Sequence, residues 1–175
     1  RPTAVNLAWA VARCCLATRA ATGADQKFLA LLRQAQAIHA EDEAICAGIG
    51  QAGVDLIFPG CGIMTHCNAG ALAVSTLGTA TAPMYLAHER GVPFRVFANE
   101  TRPVLQGARL TAWELQRAGL DVTLLCDNMA AQLMASGSID LVIGGPDRVT
   151  ANGDVVNKIG TLGVAVLPHH YNLPF

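Results

Sequence analysis

The sequence predicts an α/β chain: a helical N-terminal segment over residues 1–52, then a Rossmann-like domain of parallel strands with helices on both faces over residues 53–175. Three observations predict it. Residues 1–50 carry small and apolar side chains at helical spacing. From Gly53 onward, short apolar runs bounded by glycine alternate with helical stretches, the pattern of parallel βαβ units joined by right-handed crossovers. Hydrophobic residues make up 52% of the 175 and charged ones 14%, enough apolar surface for a sizeable core and too much for intrinsic disorder.

In order, Val5, Ala8, Trp9, Ala12 and Cys15 place a helix over residues 3–18, with Thr3 after Pro2 as the candidate cap. Leu29, Leu32, Ala35, Ile38 and Ile45 fall near one face of a longer helix over 24–48, which Gly48, Gly50 and Gly53 break. Strands are expected at 55–58, 62–65, 94–98, 122–126 and 141–144. Helices are expected at 71–89, 106–117, 130–135 and 158–167, several of them stopped by glycine.

Charge narrows the partners. Twelve basic and thirteen acidic residues give a net charge of −1, with no basic excess for nucleic acid or an anionic membrane. Mean hydropathy is high at +0.36, yet no apolar run approaches the ~18 residues of a membrane span. No signal-peptide pattern is present, so the six cysteines (Cys14, Cys15, Cys46, Cys61, Cys67 and Cys126) read as reduced thiols of a cytoplasmic protein. The chain starts at Arg1 without methionine and stops in an apolar Leu173-Pro174-Phe175 run, which predicts a chain truncated at both ends.

Open α/β sheets bind ligands outside the carboxyl ends of their strands. The segments there are polar: Thr65 to Gly70, Asn99 to Pro103, Asp127-Asn128 and Gly145 to Arg148. Cys67, read as standing between a strand and a helix N-terminus with His66 beside it, is a candidate acid–base or nucleophilic thiol with a lowered pKa; a buried structural cysteine is the alternative. Asp147, directed by the Gly144-Gly145-Pro146 turn, is a candidate general base, or else a helix cap or a partner for Arg148. Arg102, Arg109 and the Asn157-Lys158 pair are candidate phosphate donors, the last at an expected helix start.

Several sites are rejected. Gly60-Cys61-Gly62 runs into a strand and lacks the third glycine of a dinucleotide fingerprint. Cys61, His66 and Cys67 fit no zinc spacing, and no P-loop or Gly-x-Ser-x-Gly elbow occurs, so neither metal nor cofactor is expected.

Five stretches carry a resemblance: Arg1 to Leu7; Thr65-His66-Cys67-Asn68-Ala69-Gly70; Glu100-Thr101-Arg102-Pro103 with Gln106-Gly107-Ala108-Arg109-Leu110; Asp147-Arg148; and Ala151-Asn152-Gly153-Asp154 with Asn157-Lys158-Ile159-Gly160-Thr161. In these the chain resembles the methylthioribose-1-phosphate isomerases. The resemblance implies a helical domain followed by a Rossmann-like one, a homodimer, and a cofactor-free aldose–ketose isomerisation of 5-methylthioribose 1-phosphate to 5-methylthioribulose 1-phosphate in methionine salvage. By motif it implies Cys67 and Asp147 as the catalytic thiol and carboxylate, and Arg1, Gln106, Asn157 and Lys158 as substrate-binding residues. Two departures stand out. The glycine-rich Arg-Gly-Ala-Pro phosphate loop that the family carries upstream is absent, and Pro146 replaces the alanine usual before Asp147. The alternatives within the same fold are a ribose-1,5-bisphosphate isomerase and the non-catalytic regulatory subunits of the translation-initiation exchange factor. The latter generally lack the paired thiol and acid.

Overall fold

The computed structural model describes residues 5–175. The chain divides into two compact units, Arg1–Ile45 and Cys46–Phe175.

The first unit is helical: α1 (Asn6–Ala17) and most of α2 (Ala24–Gly53). Val5 stands at the N-cap of α1 with no side-chain cap bond, while Thr3, the expected cap, lies outside the described residues. Arg13 joins the two helices through a bidentate pair with Glu41, Nη1 to Oε2 at 2.5 Å and Nη2 to Oε1 at 2.9 Å, and lies 4.9 Å from the Trp9 ring centroid. That contact holds the Glu41 carboxyl below its ordinary range.

The second unit is a four-stranded parallel sheet in the order β3-β2-β1-β4. Its strands are β1 (Gly62–Thr65), β2 (Arg95–Asn99), β3 (Asp121–Leu125) and β4 (Leu141–Val142). The pairs Gly62 with Arg95, Arg95 with Asp121, and Ile63 with Leu141 set the register. Successive strand residues point to opposite faces, and each face has its own core. Ile63, Val96 and Leu141 pack with Met84 and Ala87 of α3 (Ala82–Glu89) and Leu115 of α4 (Ala112–Arg117). Met64, Phe97 and Val142 pack with Ala130 and Met134 of α5 (Ala130–Ala135) and Val164 of α6 (Thr161–Tyr171). Burying each large side chain of these layers contributes about 1.5–3 kcal/mol. The end of α2 belongs here too. Cys46 and Gly50 are buried, and a Cβ on Gly50 would meet the Ala82 carbonyl at 3.3 Å.

The architecture matches the expectation; several elements do not. Residues 55–58 are not a strand: Val54–Leu56 make a 3₁₀ turn, and the segment pairs with no strand of the sheet, so it has no ladder. Only Ala82–Glu89 of the expected 71–89 helix forms. Leu77 (φ +42°) and Gly78 (φ +81°) break the backbone, and the Thr79 N–H donates back to the Ala69 carbonyl at 2.8 Å. Alanine propensity of a few tenths of a kcal/mol per residue loses to that closure. The helix expected at 106–117 opens with a π turn over Gly107–Thr111. The last helix starts at Thr161, not residue 158, since Gly160 is left-handed at φ +98°. A short antiparallel hairpin, β5 (Arg148–Val149) with β6 (Val155–Val156), surrounds the Asn152-Gly153 turn.

Candidate functional site

The strand order creates the site. Moving from β1, the chain adds β2 and β3 on one side, then crosses to place β4 on the other. Open α/β sheets bind ligands at such a reversal, here the carboxyl ends of β1 and β4. Cys67 follows β1 and Asp147 follows β4, 80 positions apart in sequence. A Cβ on Gly145 would run into the Cβ of Ala69 and come within 2.9 Å of Thr79 Oγ1, so only glycine lets the acid's turn close on the thiol's loop.

Cys67 differs from its expected setting. No helix begins at residues 68–69; the chain there is irregular. Cys67 itself is left-handed at φ +67°, a conformation that disfavours a side chain. Burial pushes its thiol up, opposed by the Asn68 N–H and the Lys158 charge and reinforced by the Asp147 charge. Desolvation thus outweighs the expected lowering. Lys158 and Asp147 both act electrostatically on the Cys67 thiol.

The other candidates separate. Asn157 is half-buried beside Gly144, with its Nδ2 4.0 Å from where a Gly144 Cβ would stand. It also lines an open apolar cavity of about 730 Å³ with Ile49, Pro83, Val142 and Phe175. Gln106 directly precedes the π turn, and its Oε1 is buried with no partner, a free acceptor inside the fold. Asp147 is exposed. Arg102 and Arg109 are exposed too, their guanidinium groups bonded to the nearby Pro103 and Val104 carbonyls. His66 is not the thiol's partner. It points away, Nε2 donating to the Ile159 carbonyl at 2.9 Å and Nδ1 facing Asn99 Nδ2 at 3.4 Å, which ties the Lys158 segment to β1. Arg1 lies outside the described residues.

The initiation factor 2 subunit family model matches residues 1–175. The chain belongs to that family. It is 56% identical over 177 residues to the methylthioribose-1-phosphate isomerase of Symbiobacterium thermophilum, covering 100% of this chain and 49% of that one. It is 56% identical over 182 residues to the 5-deoxyribose 1-phosphate isomerase of Bacillus thuringiensis serovar kurstaki, covering 100% and 51%. Among solved structures, the 5-methylthioribose 1-phosphate isomerase of Pyrococcus horikoshii matches with a TM-score of 0.90 and 43% identity, over 100% of this chain and 49% of that one. The translation initiation factor eIF-2B subunit delta from A. fulgidus matches with a TM-score of 0.91 and 42% identity, over 100% and 51%. The chain thus spans about half the length of the curated relatives it matches.

Sequence reasoning missed the residues that hold these loops from behind. Thr101 accepts the Cys67 N–H at 2.8 Å, and Thr111 donates to the Cys67 carbonyl at 2.5 Å. Asp127 accepts the N–H groups of Thr101 and Arg102 at 2.8 and 2.7 Å. Glu114, buried on α4, accepts from the Leu72 N–H at 3.0 Å and from Asn68 Nδ2 at 3.3 Å. Burial pushes the Glu114 carboxyl up, against the pull of those donors. A signal existed: Thr111, Glu114 and Leu115 share one helical face, so a carboxylate sits in an otherwise core-facing stripe. Among the described residues, no three His, Cys, Asp or Glu side chains converge as a metal site would. Among the described residues, no helix is long and apolar enough to cross a membrane.

Proposed function

We propose that the protein is an aldose–ketose isomerase that converts 5-methylthioribose 1-phosphate to 5-methylthioribulose 1-phosphate, with Cys67 and Asp147 as its acid–base pair. The observation that carries this is the half-buried thiol at the β1/β4 crevice, within reach of one carboxylate and one ammonium. The names of the 56%-identical relatives supply the substrate class.

The chemistry asks for such a pair. A phosphate on the anomeric carbon prevents the sugar from opening freely to an aldehyde. As the bond from C1 to the ring oxygen breaks, that oxygen must receive a proton. A hydrogen then passes from C2 to C1, and the 2-hydroxyl loses its proton as the ketone forms. Cys67, kept protonated by burial, suits the donor's role. Asp147 suits the acceptor's. Lys158 and Asn157 would hold the phosphate and hydroxyls, with Gln106 offering its unpartnered oxygen to a hydroxyl. Arg1 belongs to the same substrate-binding set. The reading also carries a cytoplasmic homodimer acting in methionine salvage; sedimentation of the whole protein tests the dimer.

A second substrate is favoured by the 5-deoxyribose 1-phosphate relatives, which differ in name only at the 5-substituent. The test follows ketose formation by NMR, using the whole protein with each 1-phosphate in turn. Turnover of 5-methylthioribose 1-phosphate with the higher kcat/KM is the expected result. Preference for 5-deoxyribose 1-phosphate moves the substrate to the second reading. Inertness toward both, with ribose 1,5-bisphosphate accepted or refused, overturns the proposal in favour of a bisphosphate isomerase or a binding scaffold.

A further inference from the structure

Cys67 is held through both of its backbone groups. Its left-handed conformation is one that a residue with a Cβ keeps only when its surroundings impose it. Both peptide groups flanking it end on threonine hydroxyls from other elements. The Cys67 N–H donates to Thr101 Oγ1, which in turn donates to the Asn99 carbonyl at 3.1 Å. The Cys67 carbonyl accepts from Thr111 Oγ1, and that same oxygen accepts from Asn68 Nδ2 at 3.0 Å. Asn68 Nδ2 also reaches Glu114, three residues beyond Thr111, whose other oxygen accepts the Leu72 N–H. Thr101 and Thr111 are fully buried, and Gly70 lies so close to Glu114 that a Cβ there would overlap the carboxylate. The whole 67–72 segment is therefore moulded onto the helix face that follows β2. The π turn over Gly107–Thr111 is part of this, since it rephases the helix just where Thr111 must face the loop.

We propose that Thr111 is a positioning residue for Cys67, its hydroxyl, backed by Glu114, holding the thiol's loop in the left-handed conformation at the mouth of the crevice. This rests on the acid–base reading of Cys67 for its catalytic consequence, but not for the clamp itself.

The experiment compares Thr111→Val, which keeps the shape and removes the hydroxyl, with Thr111→Ser, which keeps the hydroxyl, in the whole protein. Three quantities are read: kcat, KM, and the rate at which iodoacetamide alkylates Cys67, followed by mass spectrometry of its peptide so that the other five cysteines do not interfere. Thr111→Val is expected to lower kcat about 10- to 100-fold, the range for a misplaced catalytic group, with KM nearly unchanged. Its Cys67 is expected to alkylate several-fold faster as the loop relaxes. Thr111→Ser is expected to restore both. A general loss of stability would not be rescued by serine and would not split kcat from KM. Unchanged kcat and alkylation in Thr111→Val, or a serine variant as defective as the valine one, overturns the proposal. Should Thr111→Val fail to fold, Glu114→Gln, which spoils one of the two acceptor sites, takes its place: faster Cys67 alkylation supports the clamp and an unchanged rate overturns it. If Cys67→Ser retains turnover, the acid–base reading falls, while the alkylation arm still decides whether Thr111 holds the loop.

Discussion

The loops that bring Cys67 and Asp147 together are built in opposite ways. The Cys67 loop is half-buried, left-handed at the key residue, and bonded through its backbone to Thr101, Thr111 and Glu114. The Asp147 loop is exposed; it leans on the thiol loop through the close approach of Gly145 to Ala69, then runs into the hairpin of β5 and β6. The difference teaches how such a site divides its labour. The thiol side is a fixed, desolvated wall. The acid side is open to solvent.

Five substitutions break or sharpen that contrast. The largest effect is expected on the fixed side: Cys67→Ser should lower kcat about 10³-fold with the fold intact, measured by the NMR assay and by thermal melting; wild-type turnover in that variant would remove the thiol from the chemistry. Next is the hinge between the sides. Gly145→Ala adds a Cβ where Ala69 already stands, so the two loops must part; kcat should fall about 10-fold or more while Cys67 alkylation stays near the wild-type rate. An unaltered kcat would mean the loops need not touch.

Smaller effects test the charges. Lys158→Ala should raise KM about 10-fold and leave kcat less affected, as for uniform binding of a phosphate; a pure kcat loss contradicts that role. The same change removes a charge that pulls the Cys67 thiol down, so its alkylation profile should move to higher pH, whereas Asp147→Asn removes one that pushes it up and should move the profile lower. Shifts of the same sign in the two variants would refute the electrostatic reach inferred for the trio. Smallest is Glu114→Gln on stability. The Glu114 carboxyl is raised on folding by burial, so the folded state binds its proton more tightly. Its contribution to stability is full below the ordinary carboxylate range and is lost as pH rises through the raised value. Denaturation midpoints taken across that window should fall with rising pH in the wild type and show a shallower fall in Glu114→Gln. Equal slopes would show that the carboxyl is not perturbed.

How much of this was legible varies with the range of the interactions involved. β1, with its run Gly62-Ile63-Met64-Thr65, was readable as a short apolar run leading into a polar segment. α5 was readable to the residue. Residues 71–81 were not: their alanines advertise a helix, and what prevents it is a bond from Thr79 to Ala69 together with left-handed backbone at Leu77. The 3₁₀ turn at Val54–Leu56 failed as a strand for want of a neighbour, which no local pattern reports. At the site, Cys67 and Asp147 were singled out because polar residues at strand ends are visible in one dimension. The direction of the thiol's shift was not, since desolvation depends on what packs around it.

By itself, then, the sequence determined the order and type of most elements, the alternation that makes the sheet parallel, and the identity of the polar residues offered at its carboxyl edge. These follow from local periodicity and from chain connectivity, which a linear pattern carries. Tertiary structure alone decided the strand order that puts β1 beside β4, the turn of His66 away from the thiol, and the service of Thr101, Thr111 and Glu114 as the mould for Cys67. Each of those rests on contacts between residues far apart in the chain. Their free energy comes from burial and from satisfying backbone groups in the packed state, and it exists only once the layers have closed.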